Sequence, residues 1–167
     1  ESIQVSDLLA LAIKVYEQGQ ESKFEKLLEV IRDPRFKDEK LIVFTEHRDT
    51  LDYLARRMRT MIGRHDAVAI IHGGIRRSER RQVTEEFTHN SKCRILLATD
   101  AAGEGLNLQV AHLMVNYDLP WNPMIVEQRI GRIQRLASTH ANVSIFNIVL
   151  KDTFEEYIVG RLMEKLQ

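Results

Sequence analysis

The chain has 167 residues, 44% of them hydrophobic, with 24 lysines and arginines set against 24 aspartates and glutamates. That length and apolar content support one core and one domain, and the zero formal net charge excludes an overall field drawing the chain to nucleic acid or an anionic membrane. Binding of that kind must use local patches. Cys93 is the one cysteine, which excludes an internal disulfide and multi-cysteine metal sites and suits a reducing cytoplasm. The histidines show no paired zinc-type spacing, so no metal is expected. No apolar run approaches the roughly 18 residues of a membrane span, and no signal peptide is expected.

From Val5, apolar residues recur at helical spacing through Leu8, Leu9, Ala12, Ile13 and Tyr16, and again at Phe24, Leu27, Leu28 and Ile31. Two helices are predicted, the second closed by Asp33-Pro34. Residues 1–36 then form a helical lead-in or link, and 37–167 the main domain. The unbroken apolar run Leu41-Ile42-Val43-Phe44-Thr45 predicts a buried parallel strand. Leu51, Leu54, Ala55, Met58 and Ile62 trace a helix ended near Gly63, and a second strand spans Ala67 to Ile71. His72-Gly73-Gly74 follows it, then a helix whose start is basic, with Arg76, Arg77, Arg80 and Arg81. A third strand covers Arg94 to Ala98 and a fourth His112 to Asn116. Asn122 caps the next helix, with Pro123 at its first position. A fifth strand, Val143 to Leu150, and a final helix through Phe154, Ile158, Leu162 and Leu166 complete the chain. Strands alternating with helices predict an α/β fold, a mainly parallel sheet covered by helices on both faces.

In such sheets ligands gather at the carboxyl ends of the strands. Thr45-Glu46-His47, His72-Gly73-Gly74, the run Thr99 to Asn107 and the run Tyr117 to Pro123 therefore share one edge. The helix after Pro123 starts at that edge. At about 100° per residue, Gln128, Arg132 and Arg135 fall on one side of it and Val126, Ile130, Ile133 and Ala137 on the other, a geometry for gripping an anion. Gly131 beside Arg132 lets another surface come close. Gly103-Glu104-Gly105 is a weak phosphate-cradle signal, and the sequence contains no GxxxxGK[ST] phosphate loop. Arginines without such a loop point to fingers offered to a nucleotide held elsewhere.

Val43-Phe44-Thr45, His72-Gly73-Gly74, Thr99 to Asn107 and Gln128 to Arg135 resemble, in order and spacing, the motifs of the second RecA-like lobe of superfamily-two helicases. Asn116-Tyr117-Asp118-Leu119-Pro120-Trp121-Asn122-Pro123 looks like the Swi/Snf-related branch, although the last motif ends Gln134-Arg135 rather than that branch's usual Gly-Gln. The resemblance implies a RecA-like three-layer fold and the C-terminal motor lobe of a DNA helicase or translocase. It further implies that Arg132 and Arg135 reach the γ-phosphate of ATP, with Gln128 beside them. Gly103, Gly105 and Asn107 would approach the nucleotide, and Thr45, His72, Gly73 and Thr99 the nucleic-acid backbone. ATP and Mg2+ would be held mainly by an N-terminal lobe of the same polypeptide, leaving the chain by itself an inactive, cytoplasmic monomer. An RNA helicase lobe and a catalytically silent RecA-like binding module stay open as alternatives. Trp121 is expected to serve as a packing wedge.

Overall fold

The computed structural model describes residues 2–102, 106–133 and 142–165. In chain order the elements are α1 (Ser2–Arg32), β1 (Leu41–Thr45), α2 (Arg48–Ile62), β2 (Val68–Ile71), α3 (Arg77–His89), β3 (Ile95–Thr99), β4 (Leu113–Asn116), α4 (Pro123–Ile133), β5 (Ser144–Asn147) and α5 (Phe154–Lys165). The strands form one sheet in the order β2-β3-β1-β4-β5, and every neighbouring pair is parallel.

Chirality decides which helix covers which face. The step from β1 to β2 moves two places along the sheet, and the step from β2 to β3 moves one place back. Crossovers of one hand then put α2 and α3 on opposite faces. The step from β4 to β5 runs in the same direction as β2 to β3, which puts α4 on the side of α3. The packing follows this arrangement. Leu41, Val43, Leu97 and Val115 meet Leu51, Leu54 and Met58 of α2 together with Phe24, Leu27 and Leu28 of α1. Ile42, Phe44, Leu96 and Met114 meet Phe87 of α3 and Ile133 of α4. A smaller cluster, Val126, Ile158 and Leu162 with Leu119, joins α5 to α4. The result is the three-layer α/β architecture expected from the alternation of elements.

The first two predicted helices are one. Gly19 lies between the two apolar runs, but an interior glycine costs only about 1 kcal/mol and does not stop a helix. Its bare Cα also lets α1 pass Leu150, since a Cβ there would stand 3.2 Å from the Leu150 Cδ1. Phe24, Leu27, Leu28 and Ile31 are buried, so this half of the segment assigned to a lead-in contributes to the core, whereas Val5 to Tyr16 stays exposed. α2 ends as the sequence indicates: Gly63 takes φ 71 and its N–H donates to the Arg59 carbonyl.

The amino-terminal side of the sheet is closed by Arg94. Its guanidinium donates to the carbonyl oxygens of Glu39 at 2.9 Å, Ile31 at 3.0 Å and Phe36 at 2.6 Å, tying the end of α1 to the start of β3. Arg94→Leu would strand these acceptors, at a cost of roughly 1–3 kcal/mol. Urea unfolding should show a lower midpoint with unchanged slope; an unchanged midpoint would remove Arg94 from the account of stability.

Candidate functional site

Sheet register brings the chemistry-bearing segments to one level. Thr45 pairs with Thr99, Ile71 pairs with Ala98 just before His72, and Phe44 pairs with Asn116. The segments after β1, β2, β3 and β4 therefore leave the sheet side by side. α4 rises from the same edge, with the Asn122 side chain accepting from the Met124 N–H at 3.1 Å to start it.

The buried face of α4 carries a residue that motif reading passed over. Arg129 is 0% exposed, among the largest fully buried side chains of the protein. Its Nε and Nη2 donate to the two carboxylate oxygens of Asp100, each at 2.6 Å. Its Nη1 donates to the Asn116 side-chain oxygen at 3.0 Å and to the Asp118 carbonyl at 3.1 Å. The guanidinium also lies over the Phe44 ring, 5.4 Å from its centroid. The Asp118 carboxylate extends the network by accepting from the Thr45 hydroxyl and, at 2.7 Å, from the Glu46 N–H. Asn116 donates to the Asn147 side chain at 2.7 Å. One buried cation thus joins α4 to the ends of β1, β3, β4 and β5. The signal was spacing: Arg129 falls between Val126 and Ile133 on the apolar side of the helix, where an arginine needs a built-in partner.

The expected site residues divide by environment. On α4, Gln128 is exposed and Arg132 half-buried, with the Leu108 N–H donating to the Arg132 carbonyl at 3.3 Å. Asn107 is exposed, and its side-chain oxygen accepts from the Gln109 N–H at 3.2 Å. Gly103, Gly105 and Arg135 lie outside the described residues. Thr45 is fully buried with its hydroxyl proton committed to Asp118, so a direct hydroxyl bond to a phosphate requires that bond to break. Thr99 is buried at the next strand. Among the described residues, no group of three or more His, Cys, Asp or Glu is arranged to hold a metal ion, and no helix is long and apolar enough to cross a membrane.

Trp121 departs from expectation. It is 72% exposed rather than wedged into the core, and one ring face lies on Phe154 of α5, 3.4 Å between centroids. Among the described residues, Phe154 is the ring that stacks on it, and Tyr157, next to Phe154, is also exposed. An exposed aromatic of this kind has one face available for contact.

At the β2 edge the glycines have internal reasons. A Cβ on Gly73 would stand 3.1 Å from the Ala101 Cβ, so glycine lets the segment after β2 close on the turn after β3. Gly74 donates its N–H to the His72 Nδ1 at 3.1 Å, and the Arg48 Nη1 lies 2.9 Å from the same nitrogen. Both neighbours are donors, so Nδ1 must be an acceptor and the proton sits on Nε2. Burial first, and then the Arg48 and Arg80 charges, hold the His72 pKa below its ordinary 6.5. The folded state therefore binds fewer protons at this site than the unfolded chain. The contribution to stability is full above pH 6.5 and is lost as pH falls through the lower folded value. Proton NMR should place the His72 midpoint below 6.5, and Arg48→Gln should raise it; a midpoint at or above 6.5 would contradict the acceptor assignment.

At Gly131 a Cβ would meet nothing within 4 Å. Among the described residues nothing requires glycine there. Gly131→Ala should stabilise this chain by roughly 0.5–1 kcal/mol through helix propensity. If another lobe docks on this face, the same change should lower the activity of the intact protein; a variant both more stable and fully active would show that no surface approaches Gly131.

The helicase conserved C-terminal domain matches residues 22–137. The uncharacterized ATP-dependent helicase YqhH of Bacillus subtilis is 38% identical over 166 residues, covering 99% of this chain and 28% of that protein. The probable ATP-dependent RNA helicase DDX4 of Sus scrofa is 34% identical over 149 residues, covering 89% of this chain and 20% of that protein. The chain thus spans less than a third of the length of either relative. The Sulfolobus solfataricus SWI2/SNF2 ATPase core in complex with dsDNA shares the fold, with TM-score 0.70 at 24% identity over 85% of this chain and 29% of that one. The chain belongs to the helicase conserved C-terminal domain family and has the RecA-like fold of a helicase C-terminal lobe.

Proposed function

We propose that this lobe is the second half of an ATP-dependent, Swi/Snf-like DNA translocase. The observation that carries this reading is α4 itself. Arg129 is fully buried and engaged by acceptors of its own domain, while Gln128 is turned to solvent on the helix that starts at the edge shared by His72 and Thr99. With no GxxxxGK[ST] loop in the chain, the nucleotide and its Mg2+ belong to an N-terminal lobe of the same polypeptide. Bound there, ATP supplies the phosphoryl group that is transferred to water. Arg132 and Arg135 close on that group across the lobe interface and stabilise the charge that spreads over its oxygens, with Gln128 orienting the attack beside them. Asn107, with Gly103 and Gly105, lines the nucleotide side. Gly73, His72, Thr99 and the turn at Thr45 hold the nucleic-acid backbone, and each closing and reopening of the cleft shifts that grip. Phosphate contacts of this type do not read bases, so binding should weaken with salt and be largely indifferent to sequence.

In the intact motor, Arg135→Ala and Arg132→Ala should each lower DNA-stimulated ATP turnover by on the order of 10³, with Arg135→Ala leaving the circular dichroism and thermal midpoint of the lobe close to wild type. Near-wild-type turnover in both would remove the finger assignment. The RNA helicase DDX4 relatives favour a second reading with RNA as the substrate. Turnover stimulated by duplex DNA, single-stranded DNA and RNA, measured side by side, separates the two.

A further inference from the structure

We infer that Arg129 and Asp100 are a positioning pair that couples nucleotide engagement to nucleic-acid grip; the inference rests on the motor reading above. Arg129 precedes Arg132 by three residues and follows Gln128 by one, so its position sets theirs. Asp100, which takes both forks of the guanidinium, directly follows Thr99. Asp118, whose carbonyl takes a further bond, holds the Thr45 hydroxyl and the Glu46 N–H. The nucleotide-facing helix and the backbone-gripping turns are thus connected by directional bonds inside the domain. α4 cannot tilt or slide against the ends of β1 and β3 without breaking them.

Stability alone does not call for this arrangement. A buried ion pair can be replaced by well-packed apolar residues of like volume with little or no loss of stability, because desolvating both charges offsets their attraction. A planar fork on a carboxylate adds fixed orientation, which an apolar contact does not. Four acceptors from three residues converge on the one side chain, and the ring of Phe44 backs it. That geometry suits the transmission of position better than it suits adhesion.

The test uses the intact motor and measures the Kd of a fluorescently labelled DNA duplex with and without a non-hydrolysable ATP analogue and Mg2+. In the wild type the analogue should change the duplex Kd at least about fivefold, the ordinary size of a coupling between two sites. Asp100→Asn, and the paired apolar replacement Arg129→Met with Asp100→Leu, should bring that ratio to within about twofold of one while each ligand still binds alone. Arg129→Lys, which keeps the charge without the fork, should fail to restore it. A purely structural role predicts a lower active fraction with the ratio unchanged, and that result overturns the inference while leaving the motor reading in place. Wild-type coupling retained by Arg129→Lys overturns it equally, because the forked geometry would then be unnecessary. A wild type whose ATP turnover and analogue binding both ignore nucleic acid overturns the motor reading and the coupling with it.

Discussion

The arrangement of this domain's working edge depends on one buried charge. Removing a guanidinium from water is expensive, and Arg129 tolerates it only because Asp100 meets its fork and Asn116 and Asp118 satisfy the remaining side. Loss of one partner from such a pair commonly costs about 3–5 kcal/mol, because the other charge is left buried and uncompensated. The requirement acts outward from that point. Asp100 must close the end of β3, Asn116 must turn its amide toward β5, and the segment after β4 must present its carbonyl to α4.

The segment after β4 is held from the opposite face as well. Lys23 of α1 is buried, donates from Nζ to the Tyr117 carbonyl at 3.1 Å and pairs with Glu155 at the start of α5. Glu155 in turn accepts from the Leu150 N–H at 3.3 Å. Successive carbonyls, those of Tyr117 and Asp118, are therefore gripped by cations from the two sides of the sheet. This explains why the second half of α1 belongs to the domain although it lies before the first strand. Without it, Tyr117 would keep its place in the apolar layer, but its carbonyl would lose a buried donor.

The sheet supplies the frame on which these bonds can be set accurately. Strands buried on both faces leave few ways to shift register, since a slip of one residue exchanges the α1–α2 layer for the α3–α4 layer. Thr45, Thr99 and the segment before His72 are level because their strands are, and polar groups at strand ends inherit that precision. Exposed apolar surface lies outside this frame, at the first half of α1 and at Trp121 over Phe154.

Much of this was legible in the chain. Apolar runs of 5 residues at Leu41–Thr45 and Ile95–Thr99 are too short for helices and too unbroken for a half-exposed strand, so a parallel sheet followed from them. The edge bearing the candidate residues followed from the rule that strand ends collect ligands, and the solvent-facing position of Gln128 from helical periodicity. Local pattern could not separate one long helix from two, because a glycine costs a helix only about 1 kcal/mol and α1 runs through Gly19 without a break. It also could not distinguish Arg129 from Arg132. Both are arginines on one helix, and only the tertiary packing, which puts Asp100, Asn116 and Asp118 around the first, decides that it is a fully buried strut of the fold while the second is half-buried. The sequence determined the layers and the edge, through patterns that act over a few residues. The assignment of individual charges waited on the fold, because a charge is accepted in a core only where distant segments bring its partners.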